Sequence, residues 1–182
     1  MKKLLRCFLL TVMTVCFAIP CLNAAEAATV ALIPLVNHVE GDEIANQVYY
    51  KQAINAIKAQ PGFVLVESDK LTAAMENSKY GIVGINQAVL EKIAKEGDVD
   101  VVFALELNKL ATKPMNRTGE RVIKLDMDGK AYAYNRLNGV FYNHNVRSDK
   151  QIDEALTARW DWAHEEFGRA VRQEIARSLK AK

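Results

Sequence analysis

The run "VALIPLV", Val30 to Val36, constrains this chain most, because seven consecutive residues carry no charged or hydrogen-bonding side chain. A half-exposed strand alternates apolar and polar positions, whereas a continuous Val/Leu/Ile run belongs to a strand covered on both faces, as in parallel sheets flanked by helices. Pro34 has no N–H to give a ladder, so it is expected to mark the last paired residue before the chain turns out at Asn37-His38. Gly41-Asp42 then introduces a helix from Glu43 to Ala59, with Ile44, Val48, Ala53, Ile54 and Ile57 as its inner face and Pro61-Gly62 as its stop. Phe63 to Glu67 reads as a second strand, and Ser68 or Asp69 caps a shorter helix running to Glu76. The segment "NSKYGIVGINQ" lacks periodicity and reads as a loop. Asn86 caps a helix of Gln87 to Lys95, Gly97 supplies its stop, and Val99 to Leu107 is the third strand. Strand, helix, strand, helices, strand is the order of parallel units joined by right-handed crossovers.

Beyond Leu107 the pattern changes. Residues 108–120, with Pro114 and Gly119, read as a long loop. Two strand-like runs then face each other across Asn138-Gly139, a pair that tolerates the positive φ angles of a two-residue type I′ turn. Such a turn makes Leu137 and Val140 opposite neighbours. One face then collects Ile123, Leu125, Met127, Ala131, Ala133 and Leu137 with Val140, Tyr142, His144 and Val146. The other collects Val122, Lys124, Asp126, Asp128, Lys130, Tyr132, Tyr134 and Arg136 with Phe141, Asn143, Asn145 and Arg147. A slip of one residue would mix the two sets, so the sorting supports the register. Asp128-Gly129 falls inside the unbroken alternation and reads as a bulge or an interior glycine. Ser148-x-x-Gln151 has the capping-box pattern, and Leu156, Trp160, Ala163, Phe167, Val171 and Ile175 make the inner stripe of a long final helix. The expected fold is α/β: a three-layer or two-layer sandwich with a mixed sheet, a parallel β-α-β-α-β part plus an antiparallel hairpin, and a long C-terminal helix.

The N-terminus indicates the compartment. Lys2, Lys3 and Arg6 form a positive region, Cys7 to Ile19 an apolar stretch of 13 residues, and Ala25-Glu26-Ala27 a cleavage site. That is the pattern of a signal peptide over residues 1–27, leaving 28–182 as a single α/β domain. The stretch is shorter than the roughly 20 apolar residues of a bilayer span, so no integral membrane span is expected in the mature chain. All three cysteines, Cys7, Cys16 and Cys21, lie within residues 1–27, which removes thiol chemistry and disulfides from the mature domain. A lipid anchor at Cys21 is disfavoured because Pro20 stands where lipoprotein signals carry a small residue. Periplasmic or secreted location is therefore expected ahead of an outer-membrane lipoprotein. Cleavage takes away three of the 24 basic residues and one of the 22 acidic ones, leaving a near-neutral chain without the basic stripe of a nucleic-acid binder.

Together, "VALIPLVN", "GFVLVESDKLTAAM", "GDVDVVFALEL" and "NRLNGVFYN" resemble the small α/β periplasmic domains related to the TolB N-terminal domain and the curli-secretion protein CsgG. The resemblance covers most of residues 28–147. It implies an assembly, scaffold or interaction role at the bacterial envelope and brings no catalytic residues with it. The chain departs from CsgG in having neither a clear lipoprotein cysteine nor an obvious membrane-inserting hairpin.

Chemical motifs are sparse. His38, His144 and His164 are the only histidines, and none stands at a metal-ligand spacing. Asp126-x-Asp128-Gly129 has Lys124 where a calcium loop needs a carboxylate, and it lacks the bidentate glutamate. No G-x-S-x-G occurs, and "GIVG" lacks the lysine of a phosphate loop. No catalytic residue, metal or cofactor is expected, and the chain is read as a non-enzyme. A hydrolase would rest only on the presence of Asp, Glu and His. Two candidate surfaces remain. Tyr132, Tyr134 and Phe141 fall on the polar face of the hairpin, as cross-strand pairs, as rings beneath a helix, or as a contact strip for an envelope protein or a second copy. Asn37, His38 and Ser68 lie near the ends of the parallel strands, where open α/β sheets form crevices. The expected function is a non-catalytic envelope interaction or scaffold module, with a periplasmic small-ligand-binding domain as the alternative.

Overall fold

The computed structural model describes residues 27–156 and 159–181, without the side chains of 156, 159 and 160. The signal-peptide reading, the Cys21 question and the places of Leu156 and Trp160 in the helix stripe lie outside the described residues. In chain order the elements are β1 (Ala28–Leu32), β2 (Val36–Asn37), α1 (Glu43–Lys58), β3 (Phe63–Leu65), α2 (Asp69–Asn77) and α3 (Gln87–Glu96). They continue with β4 (Val101–Arg117), β5 (Glu120–Asn135), β6 (Val140–Ser148), β7 (Gln151–Asp153), a 3-10 turn (Glu154–Leu156) and α4 (Arg159–Ser178). The strands form one seven-stranded mixed sheet in the order β3-β1-β4-β5-β6, with β2 added to β4 and β7 to β5. β1 is parallel to both β3 and β4, while β4, β5, β6 and β7 pair antiparallel.

Helices cover both faces of the parallel half. On the first face α1 and α4 pack over Val30, Val101, Phe103, Leu105 and Leu107, and α4 extends the cover to Leu110, Ile123, Leu125 and Met127. On the second face α2 and α3 cover Ala31, Ile33, Val102, Ala104, Tyr132 and Tyr134. The result is the three-layer form of the expected sandwich. Ser68 and Asn86 cap α2 and α3 by accepting from the N–H groups of Leu71 and Val89, and Gly97 closes α3, as their sequence positions predict. α1 is capped by Asp42, but its buried stripe is Ala45, Tyr49, Ala53, Ala56 and Ile57, one residue on from the expected Ile44 and Val48. The shift brings in Tyr49, whose hydroxyl donates to the Ile33 carbonyl at 2.9 Å, and it leaves Ile44 exposed.

Pro34 interrupts the first strand without ending it. β2 resumes at Val36 and pairs with Glu106 and Leu107 of the same neighbour. The carbonyls released at the break are met by tyrosines: Tyr49 at Ile33, and Tyr80 at Pro34 with its hydroxyl 2.7 Å away. Ile33 is fully buried, and buried carbonyls need such partners.

The segment 108–120 is not a loop. It is the second half of β4, the turn at Thr118-Gly119 and the start of β5, paired from Lys109↔Asp128 to Arg117↔Glu120. Both turn residues have positive φ, 48° and 89°, as a two-residue type I′ hairpin requires. The misreading has one cause. A bulge at Asn108, between Leu107 and Lys109, shifts the phase, so the core positions run 101, 103, 105 and 107 and then jump to Leu110. Gly129 stands opposite the bulge, where a Cβ would come within 2.5 Å of the Glu106 carbonyl oxygen, so it is an interior glycine required by the neighbouring strand.

The turn at residues 138–139 is also longer than expected. Asn135, not Leu137, faces Val140, and residues 136–139 form a four-residue loop. Arg136 leaves the ladder because its N–H donates to the Asp100 carbonyl while its guanidinium reaches Asp98 and Asp100 at 3.3 and 3.1 Å. Each β5 partner is displaced by two residues, an even number, so the two side-chain faces survive the error. Finally, Ser148-x-x-Gln151 does not open the last helix. Gln151 to Asp153 form β7 against Lys124, Ile123 and Val122, and α4 starts at Arg159 with Ala163, Phe167, Val171 and Ile175 buried as expected.

Candidate functional site

The second face supplies the polar site nearest the ends of the parallel strands. Beyond Ala104 the apolar side chains of β4 give way to Glu106, which stands opposite Lys130 of β5 and beside β2. Its two carboxylate oxygens are divided: Tyr132 donates its hydroxyl to Oε2 at 3.1 Å, and His38 Nε2 lies 3.1 Å from Oε1. The ammonium of Lys130 sits 5.3 Å from the centre of the Tyr132 ring, within the range of a cation–π contact. One carboxylate thus links β4, β5 and the residue that follows β2 in a polar cluster beside Ala104 and the α2–α3 layer. Burial, the Glu106 charge and the hydrogen bond to it push the Tyr132 phenol up to about 12. Burial likewise pushes the Tyr80 phenol up, with Tyr50, Glu106 and Tyr132 adding to the effect. Tyrosines so held keep their protons and act as hydrogen-bond donors, not as acids.

Of the expected crevice residues, only His38 belongs to this cluster. Asn37 closes the turn into α1: its Nδ2 donates to the Asp42 carbonyl and its Oδ1 accepts from the Val39 N–H. Ser68 is occupied as the α2 cap. The aromatic strip must also be corrected as a surface. Tyr132 and Tyr134 are buried and Phe141 is partly buried, because α3 lies over this end of the hairpin's polar-looking face. They are the rings beneath a helix, not a solvent-facing contact strip. Glu106, Lys130 and Tyr80 were missed. A signal for Glu106 existed, since it is a charge inside the otherwise apolar "VVFALEL".

A second polar contact lies inside the first layer. His164 Nε2 on α4 is 3.0 and 3.1 Å from the two oxygens of Asp42, both side chains are buried, and Asp42 also accepts from the Ala45 N–H. The pair ties the start of α1 to α4. Elsewhere the helices approach closely at Gly168, where a Cβ would meet Gln52 and Val48 at 3.0 and 3.1 Å. Among the described residues, no group of three or more His, Cys, Asp or Glu is arranged to hold a metal ion, and no helix is long and apolar enough to cross a membrane.

No family model matches the chain, and no curated protein is similar to it in sequence. Solved structures do match. The hypothetical protein CT253 from Chlamydia trachomatis aligns with a TM-score of 0.55 at 11% identity, over 85% of this chain and 99% of that one. The lipoprotein GNA1162 from Neisseria meningitidis aligns at 0.46 and 15%, over 83% and 99%. The PelC dodecamer from Paraburkholderia phytofirmans aligns at 0.46 and 12%, over 87% and 91%. The likeness to CT253 shows a shared fold for nearly the whole of the described chain.

Proposed function

We propose that this chain is a non-catalytic module of the bacterial cell envelope that binds another protein through the hairpin half of its sheet. The observation that carries this reading is the asymmetry of cover: α4 lies over one face of the second half of β4 and β5, while the face bearing Lys109, Lys113, Lys124 and Asp126 is open. An open sheet face and edge offer area to a macromolecule rather than a pocket to a metabolite. The export-signal pattern and the resemblance to TolB N-terminal and CsgG-like domains support an envelope setting. The Glu106 cluster is what favours the second reading, a small-ligand binder, because half-exposed His38 and Lys130 beside it could meet an anionic or hydroxylated group.

Photo-crosslinkers placed in cells at Asn143 and Lys124, and at Lys51 on α1 as a control, test the first reading. Adducts with one envelope protein from the sheet positions alone are expected. Absence of adducts, together with saturable thermal stabilisation by a metabolite that is lost in Glu106→Gln, would move the assignment to the second.

A further inference from the structure

One free edge of the sheet is β6. Among the described residues it pairs only with β5, over nine unbroken positions from Asn135↔Val140 to Met127↔Ser148. It contains no proline or bulge, and Arg147 near its end is its one Lys or Arg, so most of the devices that protect an exposed edge are missing. α4 runs alongside in the opposite direction, with Glu174 beside the start of β6 and Glu166 beside Lys150 after its end. Both carboxylates are turned inward, with side chains 4% and 8% exposed. Glu174 accepts from the Tyr142 hydroxyl and from Arg177, both at 2.6 Å, and lies 3.0 Å from His144 Nδ1. Glu166 accepts from Lys150 at 2.5 Å and from Arg169 at 2.6 Å.

The negative charge of this seam is therefore inside and the positive charge outside, since Lys150, Arg169 and Arg177 are each about half exposed. Arg147 extends the positive row onto the other face of the same strand, where it pairs with Asp128. A cleft of about 90 Å³ opens at the β6–β7 kink, lined by Met127, Arg147, Lys150, Glu166 and Arg169.

We propose that the β6 edge receives an extended acidic segment of a partner protein as an added strand, its main chain completing the ladder and its carboxylates meeting Arg177 and Arg169. Strand addition draws affinity from main-chain hydrogen bonds and specificity from alternate side chains. Arg169 and Arg177 are eight residues apart on a helix, about 12 Å. Carboxylates four residues apart on one side of a strand are about 13 Å apart, so a segment acidic at i and i+4 matches both. A second copy does not fit the same edge. Antiparallel pairing of two β6 strands would set each row of cations against its image, and like charges facing across strands repel.

The inference rests on the protein-binding reading, and its test is separable from it. The isotope-labelled protein is titrated with an eight-residue peptide alternating threonine and glutamate, with the lysine counterpart, with a version N-methylated at alternate amides, and with phosphatidylglycerol vesicles. Saturable shifts of β6 amides by the glutamate peptide alone, weakening as salt rises, are expected. Arg169→Gln combined with Arg177→Gln should reduce affinity at least tenfold with the remaining spectrum unchanged. If that double variant misfolds, Arg147→Gln and the N-methylated peptide decide. No binding, equal binding of the N-methylated peptide, or β6 shifts with vesicles but not with peptide would each overturn the edge assignment. Cellular adducts through other faces combined with such a failure would leave the protein-binding reading standing; absence of adducts from every position would overturn that reading itself.

Discussion

The two halves of the sheet solve the same problem differently. In the parallel half, β1 and the start of β4 are buried on both faces, so their sequences are nearly all apolar and their neighbours are helices. In the hairpin half, β4 and β5 run on together past the helices of the second face, and among the described residues α4 is the helix that covers them. The difference teaches where stability and interaction are divided: helices seal one half, and ladder hydrogen bonds hold the other while leaving a face and an edge to water.

The largest effect is expected from emptying the sealed half. Phe103 is fully buried, and Phe103→Ala is expected to cost about 3–5 kcal/mol, measured by chemical denaturation. An equal loss from Met115→Ala, on the exposed hairpin end, would erase the distinction. Next comes the junction between the halves. Gly129→Ala forces a methyl against the backbone of the bulge, and about 1–3 kcal/mol of destabilisation is expected, together with shifted amide signals at Glu106 to Lys109. The caps are smaller levers: Ser68→Ala and Asn86→Ala should each cost about 1 kcal/mol, read from the same denaturation curves.

A pH test sharpens the boundary at the other end of the hairpin. Burial alone would push the Asp100 carboxyl up, but hydrogen bonds from the Thr29 N–H and hydroxyl and from Arg136 hold it below the usual carboxylate range. Its contribution is therefore present above the ordinary aspartate range and is lost as pH falls through the lowered value. The stability gap between the protein and Asp100→Asn should shrink in acid; a gap independent of pH would contradict this role. Met115→Ala itself should be the smallest effect, within about 0.5 kcal/mol.

The same division explains what could be read from the sequence. Local chemistry carried the parallel half: the caps Ser68 and Asn86, the stop at Gly97 and the unbroken apolar run after Val30 each depend on neighbouring residues alone. The hairpin half depends on partners far along the chain. The bulge at Asn108 is set by Gly129, and the pull of Asp100 on Arg136 moves the turn from two residues to four. Pattern alone therefore turned a strand into a loop and displaced the pairing by two, while preserving which side chains share a face. The site was less readable still. His38 was found by its position after the first strand, but the carboxylate it approaches lies 68 residues later, and the aromatic strip looked polar only because the helix above it could not be placed.

Amide hydrogen exchange across β4 and β5 tests the central claim most directly. Slow exchange, close to the global limit, is predicted for Val101 to Leu107 and their β5 partners, and exchange faster by orders of magnitude for residues 113–122, where one face is open and the ladder is narrow. Uniform protection along the whole hairpin would contradict a sheet sealed in one half and open in the other.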